Sequence, residues 1–154
     1  MGRHRSLIWG HAGFSLVELL VLLVVVGALF SLSLPAFMSY YKSAQVRAAA
    51  SVIASYLNQG RQLAIQKNRS VCVHITSTAL HYAQGSCAGT VWVGPGTDAT
   101  GSIPAPGGIT LTTTADPVFS NLGAAVPAAT VTITHGSASL SVIVSASGRV
   151  IVGR

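Results

Sequence analysis

The sequence predicts an α+β protein, with one long amino-terminal helix laid over an antiparallel β-domain of seven or eight short strands in two sheets. Three observations predict it. No charged residue occurs from Leu19 to Tyr41, a run of 23 residues that is far too long for a strand and suited to a helix. From Val46 onward the small and apolar residues Ala49, Ala50, Ile53, Leu57, Gly60 and Ala64 recur at spacings of three and four, which puts them on one helical face. After Ser70 the composition turns to Val, Thr, Ser, Gly and Ile, with turn residues at intervals of roughly 8 to 12 positions, the pattern of short antiparallel strands.

A chain of 154 residues suits one domain with one appendage and excludes a large multidomain enzyme. It carries 9 Lys and Arg against 3 Asp and Glu, and half of it is hydrophobic. An average soluble domain is about 25% charged, so so few charges point to a membrane segment, a secreted β-rich domain, or both. They also exclude a disordered charged tail.

The elements follow in order. Arg3, His4, Arg5 and His11 precede Gly13, and beyond it Phe14 to Tyr41 holds a single ionisable carboxyl, Glu18. The basic end is expected on the cytoplasmic side. About 20 helical residues at 1.5 Å each cross a hydrocarbon core of ~30 Å, so one membrane span is expected. The rival reading is a cleaved secretory signal, with Ser31-Leu32-Ser33 as the small-x-small triplet. Against it stand the length of the apolar run, Pro35 beside the cut, and Glu18 inside the apolar segment. An ionisable side chain in a membrane helix is costly and marks a functional position whose partner should be named. The alternative is a Glu that sits protonated in lipid.

The segment Gly13-Phe14-Ser15-Leu16-Val17-Glu18-Leu19-Leu20-Val21 resembles the prepilin signature of type IV pilins and type II secretion pseudopilins. The resemblance implies that a membrane peptidase cuts after Gly13 and methylates the new amino terminus at Phe14. It also implies that Glu18 pairs with the terminal amine of an adjacent subunit. Physical chemistry agrees, since a carboxylate and an ammonium that are each costly in lipid offset one another when paired, and the pair sets the register between neighbours. Pro35 stands where this family often carries a helix-bending proline, so a bend or local melting is expected near Ser31 to Pro35.

The amphipathic pattern, with Arg47, Ser51, Asn58, Arg61 and Gln62 between the apolar positions, continues the helix to near Lys67-Asn68. Tyr40 and Tyr41 are read as interfacial anchors at the membrane exit. Strands are expected near Val71 to Ile75, Leu80 to Ala83, Val91 to Val93, Ile109 to Thr113, Val118 to Phe119, Ala129 to Thr134, Leu140 to Ser145 and Arg149 to Val152. Loops are expected at Gly94-Pro95-Gly96 and from Pro104 to Gly108.

Arg69, Val71-Cys72, Cys87, Trp92, Val118-Phe119 followed by Gly123, and Ser147-Gly148-Arg149 look like the landmarks of the GspH/FimT family of minor pilins and pseudopilins. That resemblance implies a pilin-like fold divided into a leader (residues 1–13), the transmembrane half of the helix (14–41), its amphipathic half (42–68) and a periplasmic β-domain (69–154). In the acidic position common after the tryptophan, Asp98 is the only candidate.

For a domain facing an oxidising compartment, Cys72 and Cys87 are most simply a disulfide. The alternatives are free thiols, or a zinc site joining Cys72, His74, His81 and Cys87. Their spacing matches no familiar zinc module, and no metal or cofactor is expected. Catalysis has little material, because Asp98 and Asp116 are the acids beyond the membrane and there is neither a nucleophile elbow nor a phosphate loop. The chain is read as no enzyme.

Arg47, Arg61, Lys67, Arg69, Arg149 and Arg154 outnumber Asp98 and Asp116, a balance that attracts polyanions. Pilus-side members of the resembling family include DNA-uptake proteins with a carboxy-terminal Gly-Arg-x-Arg. Here Gly148-Arg149-Val150-Ile151 matches only the first arginine, and Arg154 lies five positions on, on the opposite face of a regular strand. Arg149 and Arg154 are the candidate DNA contacts, against a reading of Arg149 as a solvated strand end. The function implied is that of a minor pseudopilin of type II secretion in the inner membrane, assembled with other pseudopilins. The alternative is a minor type IV pilin in pilus assembly or DNA uptake.

Overall fold

The computed structural model describes residues 14–153, apart from the side chains of residues 32–36. The leader, Gly13 and Arg154 therefore lie outside the described residues. The chain divides into two units, residues 1–38 and 39–154, and one helix, α1 (Leu16–Lys67), runs through both.

In the first unit α1 begins where the Ser15 carbonyl accepts a bond from the Leu19 amide at 3.1 Å, with Ser15 at the position that serine favours before a helix. All side chains described there are exposed, among them Leu16, Val17, Leu19, Leu23 and Phe30. The stretch with described side chains, residues 16–31, measures about 24 Å at 1.5 Å per residue. Among the described residues no helix is long and apolar enough to cross a membrane. The backbone stays helical across Pro35, so the local melting expected near Ser31 to Pro35 is absent. One proline removes a single backbone bond, and the bonds of the flanking turns carry the helix past it.

The second unit contains the rest of α1 and nine strands. β1 (Val71–Ile75), β2 (Ala79–Gln84), β3 (Ser102–Pro104), β5 (Val118–Phe119) and β6 (Ala125–Val126) form one antiparallel sheet in the order β3-β2-β1-β5-β6. β4 (Thr110–Thr113), β7 (Ala129–His135), β8 (Ala138–Val144) and β9 (Val150–Val152) form the other, in the order β4-β7-β8-β9. The expected α+β class with two antiparallel sheets is what the chain adopts.

The helical stripe read from spacing is the buried one. Ala49, Ala50, Ile53, Leu57, Gly60 and Ala64 are buried, joined by Val46 and Leu63, while Arg47, Ser51, Asn58 and Gln62 face solvent. They join one apolar core with Val71, Val73, Leu80, Tyr82 and Phe119 of the first sheet and Val131, Ile133, Val142 and Val144 of the second. Gly60 marks a close approach of helix and sheet, since a Cβ there would lie 2.6 Å from Val73 Cγ2 and 3.1 Å from the Tyr82 ring. The Tyr82 hydroxyl, on a fully buried side chain, donates to the Tyr56 carbonyl of α1 at 2.8 Å and pins the two layers together.

The helix stops in a Schellman motif. Asn68 takes a positive φ of 49°, its amide bonds the Ile65 carbonyl, and the Arg69 amide bonds the Ala64 carbonyl. Asparagine tolerates this left-handed conformation better than most residues, and the Asn121 side-chain amide donates to its Oδ1 at 2.9 Å.

Four points of the strand reading need correction. Val91 to Val93 contributes only a single bridge, Ala83 to Val91, because Gly94-Pro95-Gly96 ends the extended run and β3 pairs with the remaining edge of β2. β3 itself reaches into the expected loop at Pro104. It sits on a sheet edge, where a proline's missing amide costs no ladder bond. β6, only two residues long, is too short for any periodicity to reveal. Arg149 also falls just before β9 rather than inside it.

Candidate functional site

The amino-terminal segment is the first candidate. Phe14, Glu18, Val21 and Leu22, with Val25 and Val26, line one open groove, spaced so that all of them lie on a single face. Glu18 stands in the first turn of α1, where a carboxylate complements the helix dipole. Among the described residues it has no hydrogen-bond or ion-pair partner. The groove is otherwise apolar, so a lone carboxylate is presented beside Phe14 on a surface that no described residue covers. Gly13, the cleavage candidate, lies outside the described residues.

In the β-domain, Cys72 and Cys87 are joined in a disulfide across a Cα separation of 5.0 Å, which removes the four-residue zinc alternative along with free thiols. It fastens β1 to the turn after β2 and closes a loop worth about 3 kcal/mol in the chain-entropy model. Trp92 is half-buried, its ring 5.9 Å from Tyr82 and tilted against it. Gly94 is required beside that ring, since a Cβ there would sit 2.2 Å from Trp92 Cζ2. Asp98 organises its own loop: its Oδ1 accepts from the Thr100 hydroxyl at 2.7 Å and from the Thr100 and Ser102 amides at 2.8 Å. The Thr100 hydroxyl first, then the Ser102 amide, hold its carboxyl below the ordinary range.

The carboxy-terminal turn is the second candidate. The Gly148 amide donates to the Ser145 carbonyl and the Ser145 amide to the Arg149 carbonyl, which closes a tight connection between β8 and β9. Gly148, at φ +75°, lies so close to the backbone of Gly123 that a Cβ would stand 1.8 Å from the Gly123 carbonyl oxygen. The Arg61 side chain fills the remaining space, with its Nε 2.8 Å from where a Gly123 Cβ would be. That Nε is buried and has no hydrogen-bond partner among the described residues. Gly123 and Gly148 are therefore demanded by close packing of two turns under a helical arginine. Arg149 itself is exposed with no ion pair among the described residues. Arg154, the other DNA candidate, lies outside the described residues, so the structure does not bring the two arginines together.

A third cluster joins the two histidines of the zinc alternative to Asp116, which sequence reasoning did not bring to them. His74 on β1 and His81 on β2 are register partners, their ring centres 4.6 Å apart. His74 Nδ1 lies 2.5 Å from Asp116 Oδ2, the one ion pair among the described residues, and Asp116 Oδ1 accepts the Ile75 amide at 3.1 Å. Burial, with the neighbouring His74 second, pushes the His81 imidazole below its usual value, and Asp116 opposes the shift. The signal for the pair was the hairpin register; nothing local announced Asp116. Among the described residues no group of three or more His, Cys, Asp or Glu is arranged to hold a metal.

This combination of a helix laid on two antiparallel sheets, an apolar amino-terminal helix with one carboxylate, and a disulfide-tied β-domain defines a pilin-like subunit. The chain belongs to the GspH family, whose profile, described as type II transport protein GspH, matches residues 49–148. Solved structures share the fold, among them a minor pilin and a minor pseudopilin. The type IV minor pilin FimU of Pseudomonas aeruginosa is 16% identical with a TM-score of 0.54, over 70% of this chain and 92% of that one. The minor pseudopilin EpsH from the type 2 secretion system of Vibrio cholerae is 13% identical with a TM-score of 0.55, over 70% of this chain and 95% of that one. No curated protein matches the chain. Membership in this family implies assembly with other pilins or pseudopilins.

Proposed function

We propose that the protein is a minor pseudopilin of the type II secretion system, a structural subunit of a short periplasmic filament and no enzyme. The leader, residues 1–13, is cut after Gly13 by the prepilin peptidase, which then methylates the Phe14 amine. Residues 14–41 hold the subunit in the inner membrane and later pack among other pilin helices. Glu18 neutralises the Phe14 amine of a neighbour, and the β-domain stands in the periplasm and supplies the specific lateral contacts.

The observation that carries this reading is the exposed apolar face on which Phe14 and Glu18 lie together. An apolar surface of this kind is covered in the cell, by lipid or by like helices, and a lone carboxylate on it needs a cation from outside the chain. The uncharged run from Leu19 to Tyr41 supports the membrane step. The decisive experiment is the intact mass and amino-terminal sequence of the membrane-extracted protein from cells with and without their prepilin peptidase. A chain beginning at methylated Phe14 only when the peptidase is present is expected. A soluble chain starting near Leu34, or an uncut chain in both strains, would sink the proposal.

A second reading, a minor type IV pilin that takes part in pilus assembly or DNA uptake, is favoured by Arg149, which is exposed and has no ion pair among the described residues. Duplex DNA binding that weakens with salt and is lost in Arg149→Ala distinguishes it. Loss of protein export without loss of pili in a deletion strain favours the first.

A further inference from the structure

We propose that His74 and His81 together form a binding site for a divalent transition-metal ion on the outer face of the first sheet, with Asp116 as the group that orients His74. Three features of the cluster carry this.

The first is ring spacing. Imidazole nitrogens bind zinc at ~2.0–2.1 Å, and two such rings on one ion, at angles between right and tetrahedral, have centres roughly 4.5–5.2 Å apart. The His74 and His81 ring centres are 4.6 Å apart and inclined at 53°, so the pair is already spaced for one ion. Their backbones are locked by the β1–β2 register, and the Cys72–Cys87 disulfide two residues from His74 ties that hairpin down.

The second is the state of His74. Its Nδ1 faces the Asp116 carboxylate, and a carboxylate oxygen accepts, so Nδ1 carries the proton, and in the neutral ring Nε2 keeps the lone pair that a metal ion takes. A carboxylate behind a ligating histidine is the usual outer-shell arrangement, fixing the tautomer and raising the basicity of the ligand. Asp116 is itself held by the Ile75 amide, so the orientation is set before any ion arrives.

The third is availability. The His74 side chain is 38% exposed, His81 is half-buried, and the His81 ring has no hydrogen-bond partner among the described residues. Two imidazoles leave coordination positions open for water or for a donor from another subunit. Nitrogen donors with open positions suit Cu²⁺, Ni²⁺ or Zn²⁺ rather than Mg²⁺ or Ca²⁺, and the Irving–Williams order places Cu²⁺ first.

The test is titration of Cu²⁺, and separately Zn²⁺, into the full chain in detergent while the histidine ring signals are followed by NMR. His135 serves as the internal reference, since the proposed cleavage after Gly13 removes His4 and His11 from the mature chain. The His74 and His81 signals are expected to respond together and ahead of His135. His81→Asn should weaken binding at this site at least about tenfold, and Asp116→Asn by about 10- to 100-fold, with the amide spectrum of the β-domain unchanged in His81→Asn as the check on folding. A response at His74 and His81 no stronger than at His135, or unaltered affinity in a folded His81→Asn chain, would overturn the proposal.

Discussion

At Gly148 two independent demands meet on one residue. Its φ is positive, and an added Cβ would lie 1.8 Å from the Gly123 carbonyl oxygen. A left-handed conformation costs a non-glycine residue roughly 1–2 kcal/mol, and overpacking costs about 1–3 kcal/mol. Gly148→Ala should therefore lower unfolding stability by about 2–5 kcal/mol in denaturant melts. The adjacent Arg149→Ala should move it by less than about 0.5 kcal/mol, as for other exposed positions. A large loss in Arg149→Ala would mean that the arginine is structural. At Tyr82, removing the hydroxyl in Tyr82→Phe deletes the bond to the Tyr56 carbonyl and should cost about 0.5–1.5 kcal/mol. Burial already pushes that phenol above its usual range, so no ionisation of Tyr82 complicates the measurement near neutral pH. Asp98 behaves in the opposite sense. Its carboxyl is held below the ordinary range, so the order it brings to the loop is complete above the free-chain value and declines as pH falls through the lowered one. The protection factors of the Thr100 and Ser102 amides, corrected for the intrinsic pH dependence of exchange, should fall across that acid window, and Asp98→Ala should abolish that fall.

At the scale of elements, α1 shows how much one periodicity conveys. The stripe from Ala49 to Ala64 was legible because spacings of three and four leave one face apolar, and the same residues are buried in the fold. β1, β7 and β8 were legible for a similar reason, since β-branched residues between turn signals leave little choice of conformation. β3 and β6 were not. Each exists because a partner strand has a free edge beside it, at Ala79 to His81 for β3 and at β5 for β6, and no pattern inside three or two residues encodes a neighbour's edge. The amino-terminal part of α1 carries its own prediction. If Glu18 acts as proposed, Glu18→Ala and Glu18→Gln chains should still be cut after Gly13 but enter filaments poorly, as read by co-purification with other subunits. Normal assembly of Glu18→Gln would show that no charge pair is needed.

For the whole molecule, the disulfide and the core share the stabilisation of the β-domain. Replacing both cysteines with serine opens a loop spanning a sequence separation of 15 and should lower stability by about 3 kcal/mol. For a domain whose total is about 5–15 kcal/mol, that loss is large. Thermal melts with and without reductant should reproduce it in the native sequence, and an unchanged midpoint would show that the helix and two sheets suffice alone. The apolar face of the first unit is exposed among the described residues, and on the proposed reading lipid or other subunits cover it.

By itself the sequence determined the class of every long element, the buried stripe of α1, the amino-terminal signature around Gly13, Phe14 and Glu18, and the cysteine pair. These rest on local spacing, which a chain expresses wherever it folds. Only the tertiary structure decided what Arg61, Gly123 and Gly148 do for one another, which edge β3 and β6 occupy, and that Asp116 closes on His74 beside His81. Those residues stand up to 87 positions apart, and their meeting depends on strand register and on helix–sheet packing. Register and packing are set by the whole core at once, so no single segment announces them.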